Sequence, residues 1–86
     1  DTALMKAAAG YGKETIVAAL LDYGADVNLQ NNVSEEFYNY TALMYAAKEG
    51  RDKTVSMLLD NGADPNIQSG HGLTALSFAG TSRSIA

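Results

Sequence analysis

The stretch TALMKAA at residues 2–8 returns as TALMYAA at 41–47 and as TALSFAG at 74–80. A second stretch, LLDYGADVNLQ at 20–30, returns as LLDNGADPNIQ at 58–68. Repetition at a fixed period constrains a fold strongly, because a short unit cannot bury its apolar face alone and must stack on a copy of itself. Thr41 and Thr74 are 33 residues apart, whereas Thr2 and Thr41 are 39 apart. Gly12 and Gly50, Gly24 and Gly62, and Asn28 and Asn66 all pair at 38. One extra residue therefore lies between Ala8 and Gly12, and five more lie between Asn28 and Thr41.

Each unit reads as helix, turn, helix, hairpin. The threonine is an expected N-cap, its hydroxyl accepting from a free amide one turn into the helix. The Ala-Leu-Met-x-Ala-Ala run gives a short helix with small residues on one side, which lets neighbouring helices approach closely. Gly12 and Gly50 are expected to end that helix, since glycine takes the left-handed conformation cheaply. Ile16, Val17, Leu20 and Leu21, and then Val55, Leu58 and Leu59, form the apolar stripe of a second helix with one buried face. Gly24 and Gly62 stop it, and Ala-Asp-Val-Asn and Ala-Asp-Pro-Asn follow as turn chemistry. Stacking such units predicts an all-α solenoid with hairpin loops. Its units span about 1–30, 40–68 and 73–86, with an insertion in the hairpin over 31–40.

Several function classes fall away. The chain has 86 residues, one small domain, and no cysteine, so disulfides, thiolate zinc sites and cysteine nucleophiles are excluded. Net charge is −4 and the six basic residues never form a dense run, so no nucleic-acid footprint is expected. No apolar run approaches a membrane span of about 20 residues, and no signal peptide is visible; a cytoplasmic setting is favoured. Gly10-Tyr11-Gly12-Lys13-Glu14-Thr15 only faintly resembles a phosphate-binding loop. Ala7 stands where that loop needs glycine, and Glu14 where it needs Ser or Thr. His71 sits alone in a hairpin tip, and Glu35 and Glu36 are loop neighbours rather than a facing acid–base pair. Asp22, Asp26, Asp60 and Asp64 recur with the repeat, which explains them without a metal. No catalytic residue, cofactor or metal is expected.

The two spaced signatures, Thr-x-Leu-x-x-Ala-Ala and Leu-Leu-x-x-Gly-Ala-Asp-x-Asn, make the chain resemble the ankyrin repeat family over nearly its whole length. The family's usual Pro and His after the threonine are replaced by Ala3 and Met5, by Ala42 and Met44, and by Ala75 and Ser77. Gly80 replaces the second alanine of the third unit, and Arg83 stands where glycine is expected, so that unit is weakened or ending. The resemblance implies recognition of another protein, through a concave surface of hairpin tips and first-helix faces. Position by position, that surface would comprise Gln30, Asn31 and Tyr40 in the first hairpin. The second hairpin would add Gln68, Gly70, His71 and Leu73. The first helices would offer Lys6, Ala9, Tyr45, Lys48 and Glu49, followed by Thr81 and Ser82. In animal members the asparagine of the second signature can be hydroxylated by an asparaginyl hydroxylase when a leucine lies eight residues earlier. Asn28 with Leu20, and Asn66 with Leu58, meet that spacing and are candidate modification sites.

The insertion NNVSEEFYNY, 31–40, holds three of the seven aromatic residues. Aromatic side chains suit interface centres, so Phe37, Tyr38 and Tyr40, with Tyr45, are read as an extended rim of the binding groove. Two other readings stay open: a cover for the protein's own core, with Phe37 folding on Leu43 or Leu29 and Tyr45 partly in the stack, or neutral slack in a loop. Neither end carries the polar outer face of a solenoid cap. Leu4, Met5 and Ala8 are expected to face nothing on one side, and Phe78 and Ile85 to lack a second helix on the other. The chain is thus read as part of a longer protein or as one completed by self-association. A structural spacer or assembly element is the alternative function, as is a substrate-recruiting segment of a larger enzyme or effector.

Overall fold

A computed structural model describes residues 2–11, 14–32 and 39–79. Its helices are α1 (Ala3–Lys6), α2 (Glu14–Asp22), α3 (Ala42–Lys48), α4 (Asp52–Asp60) and α5 (Ala75–Ala79). The described elements are all helical, and they alternate as the repeat requires: α1, α3 and α5 are first helices, and α2 and α4 are second helices. First helices pack side by side, α3 against both α1 and α5, while α2 packs on α4.

The caps follow from the sequence. Thr2 Oγ1 accepts from Met5 N at 3.1 Å, and Thr41 Oγ1 accepts from Met44 N at 3.2 Å. The third unit reverses the device. Ser77 stands in the methionine position, and its Oγ accepts from Thr74 N at 3.3 Å. A side chain three residues in thus reaches back to the capping residue, as in a capping box.

The extra residue between Ala8 and Gly12 is absorbed locally. Ala7–Tyr11 forms a wide π-type turn, and Gly10 leaves helical space within it at φ 107°. Single-residue insertions commonly take this form in helices. Gly10 thus carries a positive dihedral in the first unit; Gly12, where one was expected, lies outside the described residues. In the second unit Gly50 carries it, at φ 71°.

The core runs through the first helices. Leu4, Met5, Ala7 and Ala8 of the first unit are buried, as are Ala42, Leu43, Met44, Ala46 and Ala47 of the second. Leu4, Met5 and Ala8 do not lie bare, as the sequence reading expected. They turn inward, because one side of α1 is covered by α3 and the other by the chain's own second helix. The second-helix stripe departs in the opposite sense. Val17 and Leu58 are fully buried, but Ile16 is 48 % exposed and Leu59 is also exposed. Thr54, the counterpart of Ile16, is only 4 % exposed, on the helix that packs against α2. The stripe is as apolar as expected, and which of its members are buried depends on the neighbouring unit. Among the described residues, no helix is long and apolar enough to cross a membrane.

Candidate recognition surface

The hairpins begin with paired turns. Asp26 Oδ1 accepts from Asn28 N at 3.0 Å, and Asp64 Oδ1 accepts from Asn66 N at 2.9 Å. These bonds are the local turn chemistry that Asp and Asn supply. Asn28 also joins the two units. Its Nδ2 donates to Gly62 O at 3.2 Å, and its Oδ1 accepts from Asp64 N at 2.7 Å. Asn66 is exposed, and its side chain has no such bond among the described residues. The two candidate modification sites therefore differ in use: Asn28 is engaged at both ends of its amide, whereas Asn66 is open.

A second tie lies nearer the hairpin tips. Gln30 Nε2 donates to Gln68 O at 2.8 Å and to Asn39 O at 3.0 Å. One amide thus spans the two limbs of its own enlarged hairpin and reaches the next hairpin. Within the second hairpin, Ser69 N donates to Leu73 O at 2.8 Å, and Ser69 Oγ accepts from His71 N and Leu73 N at 3.3 Å each. Gln30, Gln68, Gly70, His71 and Leu73 are exposed along this row, and Lys6 and Glu49 are exposed on the first-helix side. Lys48 and Ala9 are half-buried.

Three other residues expected on the surface are buried: Asn31, Tyr40 and Tyr45. The base of the enlarged hairpin is closed by Asn31 N donating to Tyr40 O at 2.9 Å and by Asn39 N donating to Asn31 O at 2.9 Å. Asn31 Oδ1 accepts from Tyr40 N at 2.7 Å, and Asn31 Nδ2 donates to the Tyr45 hydroxyl at 2.8 Å. The Tyr40 ring lies 5.2 Å from that of Tyr45 and 4.8 Å from that of Phe78, tilted by 58° and 56°. Tilted pairs at such separations suit the quadrupoles of aromatic rings. Tyr40 is 5 % exposed, Phe78 7 % and Tyr45 8 %. For these residues the cover reading, not the rim reading, describes the geometry: each ring is held by another part of the chain. Phe37, Tyr38, Thr81 and Ser82 lie outside the described residues.

Phe78, expected to lack a second helix beside it, packs its ring on Tyr40; the residues after Ala79, where such a helix would follow, lie outside the described ones. The signal was present in the repeat, since Phe78 and Tyr45 hold the same place in their units, 33 residues apart. What the repeat does not specify is that a hairpin residue from outside either helix packs its ring on both. Burial pushes the Tyr45 hydroxyl above the usual phenol range; the bond from Asn31 opposes that shift and the neighbouring Tyr40 adds to it.

A cleft of about 610 Å³ opens at the other end of the helices, lined by Gly10, Glu14, Arg51, Asp52 and Lys53 among others. Both signs of charge line it, so it selects no ligand class, and none of the surface candidates lies there.

A family model described as "Ankyrin repeats (3 copies)" matches residues 1–69. The third first-helix segment, Thr74–Ala79, lies beyond the matched span. Comparison with curated proteins returns no match. Ankyrin repeats generally serve as modules that bind other proteins and generally do not catalyse reactions. On a match covering most of its length, joined to stacked helix pairs and paired hairpin turns, the chain belongs to the ankyrin repeat family.

Proposed function

We propose that this array recognises a partner protein through the row of hairpin tips and the adjoining ends of the first helices. Gln30, Lys48, Glu49, Gln68, His71 and Leu73 form that surface, and Phe37 and Tyr38 join it by their place in the enlarged hairpin. Asn31, Tyr40 and Tyr45 support it from beneath. The observation that carries the reading is the cross-linking of the two hairpins by Gln30 and Asn28. A row held by such bonds is ordered before a partner arrives, and preorganisation lowers the entropy cost of association. In this reading the segment performs no catalysis, and its partner is a protein rather than a nucleic acid or a membrane.

A second reading, an assembly or spacer element, is favoured by one observation. Ile16 is far more exposed than its buried counterpart Thr54, which leaves an apolar stack face open. Partner capture from the source cell's lysate separates the two. The array is compared with a triple variant, Glu49→Ala, His71→Ala and Leu73→Ala, after both are shown to melt alike. A partner held by the parent and lost by the variant supports recognition through the hairpin row. A partner kept by both moves contact to the stack faces and overturns the first reading.

A further inference from the structure

We propose that Asn61 is a site of covalent self-modification, in which the Gly62 backbone nitrogen displaces the asparagine's side-chain amide, and that the last turn of α4 sets the rate.

Asn61 is exposed, and it is the only asparagine of the chain followed by glycine. The other asparagines precede Leu29, Asn32, Val33, Tyr40 and Ile67, whose side chains shield their own backbone nitrogens. Glycine has no side chain to do so. A Cβ placed at Gly62 would meet nothing within 4 Å, so the space beside this nitrogen is open. The chemistry needs only water. Gly62 N attacks Asn61 Cγ, and the new N–Cγ bond closes a succinimide ring. The Cγ–Nδ2 bond breaks, and Nδ2 leaves as ammonia with the proton from Gly62 N. Water then opens the ring. Cleavage at Cγ gives aspartate. Cleavage at the backbone carbonyl of residue 61 gives isoaspartate, whose main chain runs through Cβ and Cγ.

The fold holds both reacting groups elsewhere. Gly62 N donates to Leu59 O at 3.1 Å, and Asn61 Nδ2 donates to Met57 O at 2.8 Å. Both acceptors lie in the last turn of α4, and both bonds must break before Gly62 N reaches Cγ. The reaction therefore proceeds in the fraction of molecules whose last turn is open. The first unit has the same turn without the chemistry: Tyr23 stands in the place of Asn61, and Gly24 N donates to Leu21 O at 3.0 Å.

The product unsettles the turn that delayed it. Either form carries a carboxylate, which cannot donate to Met57 O. It also adds negative charge at the negative end of a helix, close in the chain to Asp60 and Asp64. Isoaspartate further lengthens the backbone just ahead of Gly62 O and Asp64 N, the groups that Asn28 grips across the units. The tie between the two hairpins is then lost with the turn.

The test ages the unaltered protein at mildly alkaline pH, folded and in urea, and follows each asparagine by peptide mapping with mass spectrometry. Asn61 is expected to convert ahead of every other asparagine in both conditions, and at least about tenfold more slowly when folded than in urea. Conversion of another asparagine while Asn61 stays intact overturns the site. Equal rates folded and in urea overturn control by the turn. The isoaspartate form, separated by chromatography, is then melted beside Asn61→Asp, which has the new charge but the original backbone. The isoaspartate form is expected to melt lowest, with Asn61→Asp between it and the unaltered protein. If the isoaspartate form melts with Asn61→Asp, the loss of the hairpin tie is overturned. No partner takes part, so failure of this site leaves partner recognition standing.

Discussion

Tyr45 shows how one side chain can couple stability to pH. Its hydroxyl is raised above the ordinary phenol range by burial, so the folded state favours the neutral form. The stabilisation is complete below the unfolded value of about 10 and is lost as pH rises through it toward the folded value. Thermal melts of the unaltered protein are expected to fall above about pH 10 more steeply than those of Tyr45→Phe. Parallel melts would rule out this coupling. At neutral pH Tyr45→Phe removes the acceptor facing Asn31 Nδ2, and a loss of about 1–3 kcal/mol in denaturant unfolding is expected. Gly10 is a second residue with a defined cost. Its φ of 107° is one that side chains rarely adopt, and a Cβ there would overlap the Arg51 guanidinium. Arg51 can swing away, so the backbone dominates. Gly10→Ala is expected to lose about 1–3 kcal/mol by the same measurement.

At the scale of elements, the hairpins are tied unit to unit by a repeated asparagine that serves differently in its two places. Asn28→Ala removes two bonds to the next unit, to Gly62 O and from Asp64 N, and leaves a backbone amide without its partner. A loss of about 1–2 kcal/mol is expected. Asn66 has the same sequence setting but, among the described residues, no bond from its side chain to a further unit, so Asn66→Ala is expected to stay within about 0.5 kcal/mol. Equal effects in equilibrium unfolding would show that the inter-unit bonds contribute nothing. These elements were largely legible in advance. The capping by Thr2 and Thr41, the stops at Gly24 and Gly62, and the turns at Asp26 and Asp64 depend only on bonds within a few residues. The reversed cap at Ser77 and the positive φ at Gly10 were not legible. Each is one of several local solutions that the repeat leaves open.

For the whole molecule, stability depends on how many unit faces are covered, since stacked repeats behave as intrinsic terms plus nearest-neighbour terms. Ile16 is apolar and half-exposed where its counterpart Thr54, on the helix that packs against α2, is buried. Fusing residues 41–73 directly ahead of Thr2 keeps the 33-residue register and gives Ile16 and Leu20 a neighbouring second helix. A higher melting temperature is expected, and replacing Ile16 with lysine in the fused protein should remove most of the gain. An unchanged melting temperature would mean that the face is not built to stack. The repeat alone determined the family, the helix order, the units and the chemistry of their caps and turns, because its period and its local hydrogen bonds involve residues close in the chain. Tertiary structure decided which apolar residues are buried. It turned Leu4, Met5 and Ala8 inward, left Ile16 outward, and drew Asn31, Tyr40 and Tyr45 from the expected surface into a cluster closed by Phe78. Burial belongs to the neighbour that a residue meets across the stack, and no spacing within the sequence states which neighbour that is.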